Sequence, residues 1–133
     1  MKYLLWAVQI LLALGFLMAG VMKVTQPIES LGAQLPWVND VPPALVRAIG
    51  ALELLGAIGL VAPAATRILP WLTPLAAAGL AVDMLLAVLF HLVRGEGAMT
   101  PFPLVLMLLS AFVAYGRWVM APIQPRAPQP VAA

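Results

Sequence analysis

The sequence of 133 residues has no cysteine, a single histidine and few charges, with seven basic and five acidic side chains. Without cysteine the chain forms no disulfide, no thiolate metal site and no dithiol redox relay of its own. One histidine and no cysteine is also too small a set of soft donors for a zinc centre, so no metal site is expected. A net charge of +2, scattered along the chain, lacks the basic patch that nucleic acid requires. There is no phosphate-binding glycine loop, serine nucleophile motif or paired-histidine motif. The shortage of charge also excludes a water-facing surface of ordinary composition.

What the chain does have is apolar surface: 64% of residues are hydrophobic and the mean hydropathy is +1.05. A surface of this kind belongs in a lipid bilayer, where a helical span takes about 20 apolar residues. Four spans plus connections use up the chain, which predicts an all-α bundle of four transmembrane helices. Span one covers Tyr3 to Lys23 and ends before Pro27. It is too long for a signal-peptide core and lacks a cleavage site followed by a polar region, so it is expected to be retained. Span two opens at Pro43 and is expected to stop at Ala62, before Pro63. Span three covers Ile68 to Val93, with Pro70 and Pro74 in its first turns. Span four covers Phe102 to Val119. Residues 1–121 are thus expected to form one membrane domain. Residues 122–133, with four prolines and one charge, are expected to be a disordered tail. The apolar runs are continuous and do not alternate, which excludes barrel strands.

With both termini in the cytoplasm of a bacterial plasma membrane, the inner side receives Lys2, Arg67, Arg117 and Arg126 and no acid. The outer side receives Lys23, Arg47 and Arg94 together with Glu29, Asp40 and Glu96. The basic bias is small but has the sign of that orientation. Tyr3, Trp6, Trp71, Tyr115 and Trp118 then share the inner interface. The long connection from Val24 to Pro42 places Ile28, Leu31 and Leu35 on one face beside Trp37. It reads either as a short helix covering the bundle mouth or as a plain loop with an aromatic anchor.

Three ionisable groups fall inside the spans: Glu53, Asp83 and His91. Glu53 lies ten residues, about 15 Å, beyond Pro43, and Asp83 lies twelve residues, about 18 Å, past Trp71 on a neighbouring span. Both carboxyls are therefore expected near mid-membrane. A central carboxylate costs about 2.5–3.5 kcal/mol on an insertion scale, where each Leu, Ile or Val contributes only about 0.3–0.6 kcal/mol. Glu53 must then face the bundle. Gly50, Gly56 and Gly59 form a small-residue stripe around it, the mark of close helix approach, and Gly20 shares a face of span one with Gln9, Phe16 and Lys23. The expected site is an outward-opening polar pocket with Glu53 and Asp83 at its floor and Lys23, Arg47, His91 and Arg94 nearer its mouth. The competing reading ties each acid to a base, such as Glu53 to Lys23, only to hold helices in register. His91 is read first as a hydrogen-bonded structural residue. Haem ligation would need a methionine, or a histidine from another subunit, as second axial ligand.

Gly20-x-x-Lys23, Gly50-x-x-Glu53-x-x-Gly56, Ala87-x-x-x-His91-Leu92, Gly95-Glu96 and Tyr115-Gly116-Arg117 occur in this order at the ends and centres of the four spans. From Leu5 to Arg117 the chain resembles the DoxX-like family of small four-helix membrane proteins. The resemblance implies a membrane subunit associated with a thiosulfate:quinone oxidoreductase, or a redox-complex partner, cargo receptor or chaperone for membrane proteins. It assigns no catalytic role to Lys23, Glu53 or His91. Asp83 departs from the apolar residue usual at its position, which leaves open whether a Glu53–Asp83 pair is a family trait or a local feature of this chain.

The function expected is an accessory membrane subunit of a quinone-linked redox system, which leaves open whether the chain is itself an enzyme. The alternatives are a non-enzymatic assembly factor and a small proton-coupled transporter. No cofactor is required by the sequence; a quinone or a haem is compatible with it. The partners expected are the lipid bilayer, a membrane or redox protein and a second copy of the chain, with no nucleic acid.

Overall fold

The computed structural model describes residues 1–127. These residues form helices α1 (Lys2–Thr25), α2 (Ile28–Gln34), α3 (Pro43–Thr66), α4 (Leu72–Val93) and α5 (Pro101–Tyr115), and no strand. A 3-10 turn at Pro36–Asp40 follows α2, and a π-helical turn at Gly116–Met120 continues α5. Four helical segments are long and apolar enough to cross a membrane: α1, α3, α4 and Gly97–Met120. They pack as a ring, α1 on α3, α3 on α4, α4 on α5, and α5 back on α1. Leu12, Phe16, Leu60, Ala77, Leu80 and Val113 fill the centre. Leu11, Leu14, Met18, Leu52, Leu55 and Leu86 point outward and are exposed. In water that surface would drive aggregation; in a bilayer it meets acyl chains.

Glycines set the closest approaches. A Cβ on Gly20 would lie 2.8 Å from the Gly50 carbonyl oxygen, and one on Gly50 would lie 2.6 Å from the Lys23 Cβ. Gln9, toward the start of α1, reaches Leu60, toward the end of α3, so the two helices run antiparallel. On the other face of α3, Gly56 lies against Leu80 and Gly59 against the Cβ of Ala76. The same antiparallel register places Glu53 of α3 opposite Asp83 of α4.

Pro63 does not stop the second span. α3 runs through it to Thr66, four residues beyond the expected end. Proline cannot donate to the carbonyl four residues back, and that carbonyl belongs to Gly59. The Thr73 hydroxyl of α4 donates to the Gly59 oxygen at 2.9 Å instead, and the Gln9 amide of α1 donates to the Leu60 oxygen at 2.6 Å. Neighbouring helices thereby satisfy the stretch beside the proline, which membrane interiors require. The third span starts later than expected, at Leu72, because Arg67 and Leu69 take positive φ and form a turn with Pro70. In the fourth span α-geometry ends at Tyr115 and the π turn carries the chain to Met120.

The connection between α1 and α3 is a cap with its own small core, Leu31, Val38 and Val46, packed with Met22, Ile28, Leu35 and Trp37. Of the two readings of this segment, the structure has the short helix folded over the ends of α1 and α3. At the opposite end, residues 122–127 of the expected tail lie along the α3–α4 turn. Arg67 donates through Nε to the Gln124 carbonyl, and the Arg126 amide donates to the Arg67 carbonyl at 2.8 Å. The rest of the expected tail, 128–133, lies outside the described residues.

Candidate functional site

Lys23 and Glu53 each lie three residues beyond the glycine that brings α1 and α3 together. Side chains on a helix lean toward its N-terminus. On antiparallel helices the Lys23 ammonium and the Glu53 carboxylate therefore lean toward each other. The Lys23 Nζ donates to both Glu53 oxygens, at 2.9 and 3.0 Å. Glu53 is 1% exposed and the Lys23 side chain 11%. The Asp83 carboxyl faces this pair from α4, close to the Glu53 carboxyl and in the field of Lys23. Its Oδ2 is buried with no hydrogen-bond partner. The structure thus brings together three of the six expected site residues: two acids and one ammonium. The ion pair of the competing reading is present, and Asp83 is an extra acid beside it.

The other three residues do not line a pocket above the acids. Arg47 donates to the carbonyls of Lys23 and Gln26, each at 2.7 Å. It closes the C-terminal end of α1, whose last carbonyls have no helical partners. Arg94 bridges the cap to the α4 end, bonding Asp40 and Glu96 at 2.6 Å each. The His91 Nδ1 lies 3.4 Å from the same Glu96 carboxylate. This cluster is built by the end of α4. Gly95 takes φ +72°, while the Glu96 amide donates to the His91 carbonyl at 2.8 Å and the Gly95 amide to that of Leu92 at 3.1 Å. That double-bonded Schellman ending folds the Glu96 side chain back over its own helix. The Arg94 guanidinium holds the Glu96 carboxyl below its ordinary range. The expected outward-opening pocket is therefore corrected to a closed cluster. The side toward the α1–α3 connection is occupied by the cap and by a latch made of Arg94, Asp40, Glu96 and His91.

A second buried polar group was not singled out as a site from sequence. Arg117 donates through Nε to the Gln9 side-chain oxygen at 2.6 Å and through Nη1 to the Ala121 carbonyl at 3.2 Å. Its guanidinium also lies 5.4 Å from the centre of the Trp6 ring. Gly116 permits this arrangement, because a Cβ there would collide with the Leu5 side chain. A polar Gln9 within an otherwise apolar stretch of span one was the available signal. It showed a face without showing a partner, since the partner is 108 residues away. Among the described residues no group of three or more His, Cys, Asp or Glu side chains could hold a metal ion.

With four apolar spans, the Gly20–Gly50 crossing and the buried Lys23–Glu53 pair described, comparison with known proteins adds the family. No solved structure and no curated protein matches the chain significantly. The model of the DoxX-like family matches residues 7–113, which takes in most of α1, the cap, α3, α4 and most of α5. The chain belongs to the DoxX-like family.

Proposed function

We propose that this chain is an accessory membrane subunit of a quinone-linked redox system, with Lys23, Glu53 and Asp83 as a proton-holding centre in the bilayer interior. One observation carries the reading: two carboxyls face a single ammonium, and the Asp83 Oδ2 is buried without a partner. Written as ions, the three groups leave one negative charge in a medium where isolated charge is strongly disfavoured. One proton shared between the acids removes that charge and supplies the missing hydrogen bond. A site that must carry a proton can also exchange it, which is what a quinone needs when it is reduced or oxidised. The chain has no cysteine, so electrons come from a partner protein. A ligand reaches the centre by lifting the cap, which is held to α4 by the Arg94–Asp40 bridge and by Trp37 edge-on to Phe90. The termini face the cytoplasm in this reading, with the cap on the outer side.

Infrared spectroscopy of the purified protein tests the centre. A protonated-carboxyl band is expected in the native protein, removed by Asp83→Asn in a protein that stays folded. Binding of a water-soluble benzoquinone analogue and copurification with an oxidoreductase test the redox assignment. If both fail while the infrared band is present, the centre remains and the redox role is wrong.

A second reading is favoured by the tight Gly20–Gly50 approach and the bidentate Lys23–Glu53 bond, which also serve a purely structural end. In that case the chain is an assembly factor, and Glu53→Gln changes partner association with no effect on small-molecule binding.

A further inference from the structure

The end of the bundle where α1 begins and α3 turns into α4 has Lys2, Arg67, Arg117 and Arg126 and, among the described residues, no acidic side chain. Three of these sit at the surface, but Arg117 is 5% exposed. Its partners are a neutral amide, a neutral carbonyl and an aromatic ring, and no carboxylate bonds it among the described residues. Nη2 is buried with no hydrogen-bond partner. A cation removed from water without a counter-ion is strongly disfavoured, and guanidinium is best compensated by a planar or tetrahedral oxyanion that takes two donors at once.

Arg117 lines a cavity of about 470 Å³ between the start of α4 and residues 122–125. Its other walls include Pro70, Trp71, Leu75, Trp118 and Ile123, and Trp71, Leu75 and Trp118 are exposed on the outer face of the bundle. Tryptophans with apolar neighbours in this position mark the headgroup level of a membrane. The cavity therefore joins an apolar wall that suits an acyl chain to a guanidinium that lacks an anion. Basic pockets between transmembrane helices are sites for phosphate headgroups.

We propose that this cavity binds one anionic phospholipid, its phosphate on Arg117 and the upper part of an acyl chain against Trp71, Leu75 and Trp118. The phosphate bonds Nη2, which has no partner, and takes the place of the Ala121 carbonyl on Nη1, the longer of the two hydrogen bonds that Arg117 makes, at 3.2 Å. This site lies at the end where α1 begins and is separate from the Lys23–Glu53–Asp83 centre at mid-membrane, so either assignment can fail alone.

The test uses the full chain in detergent, delipidated and then titrated with phosphatidylglycerol, with phosphatidylcholine, or with inorganic phosphate. Native mass spectrometry and thermal unfolding are the readouts. One phosphatidylglycerol per chain is expected to be retained and to raise the unfolding temperature, with phosphatidylcholine at least about fivefold weaker. Arg117→Gln should abolish that preference. Because this variant also loses its bond to Gln9, Leu75→Trp serves as the second variant. It fills the wall without touching any charge and should weaken phosphatidylglycerol while leaving helix content unchanged. Equal stabilisation by inorganic phosphate alone would show a free-anion site and overturn the lipid assignment. Equal retention of the two lipids, or a preference that survives both variants, would overturn the site.

Discussion

Removing the Lys23 ammonium should damage this protein far more than removing either acid facing it. Two hydrogen bonds of 2.9 and 3.0 Å join Lys23 to Glu53, and the carboxylate is 1% exposed. At 2.9 Å the Coulomb attraction is about 6 kcal/mol with an effective dielectric constant of about 20. Desolvation of both ions opposes it, so the pair's net contribution is smaller. Breaking such a pair from one side costs about 3–5 kcal/mol, because the surviving charge stays buried alone. Lys23→Met leaves two acids facing each other with no cation and should show that full cost. Asp83→Asn leaves the Lys23–Glu53 pair neutral as a unit and should change stability by less than about 1 kcal/mol. Glu53→Gln falls between them, since Asp83 remains near the ammonium and a glutamine amide can donate to its free oxygen. The assay is reversible unfolding in mixed micelles, followed by circular dichroism, for the three single variants and for Lys23→Met combined with Glu53→Gln. The double variant should recover part of the loss, which gives the coupling directly. If Asp83→Asn proves as damaging as Lys23→Met, the charge assignment within the centre is wrong.

The proline in α3 supports a second test. Thr73→Val keeps the shape of a buried residue but removes the donor to the Gly59 carbonyl, and should cost about 0.5–1.5 kcal/mol. Adding Pro63→Ala returns a backbone N–H to the same carbonyl, so the double variant should regain most of the loss. No recovery in unfolding experiments would show that the hydroxyl has another role. A third test concerns pH at the cap. Arg94 and His91 hold the Glu96 carboxyl below its ordinary value of 4.5, so the folded state binds this proton less readily than the unfolded chain. The latch is complete above that ordinary value and is lost as pH falls through the lowered one. Hydrogen exchange across residues 28–40 should rise only in that acid window, and Glu96→Gln should shrink the transition, since the ionic hold on the cap then rests on Asp40 alone. Release beginning at higher pH would assign control to a different group.

How much of this was legible in the sequence depended on how far apart the interacting residues lie. The four spans were readable because each is a local run of apolar side chains, and the glycine stripe around Glu53 was readable because helical periodicity is local too. The run through Pro63 was not, because the groups that serve the Gly59 and Leu60 carbonyls are on α4 and α1. Proline is a reliable helix stop only when nothing else can satisfy the carbonyls it frees. The closed state of the centre was hidden for a related reason. Arg47, His91 and Arg94 all map toward one end of the bundle, which makes them look like the rim of one pocket. Each in fact had a nearer obligation, Arg47 to the open end of α1 and the other two to a carboxylate folded back by Gly95. Depth along a helix can be counted from sequence, but a hydrogen-bond partner cannot. A buried arginine beside a glutamine 108 residues away is the extreme case, and it is also where the described structure leaves a cation in need of an anion.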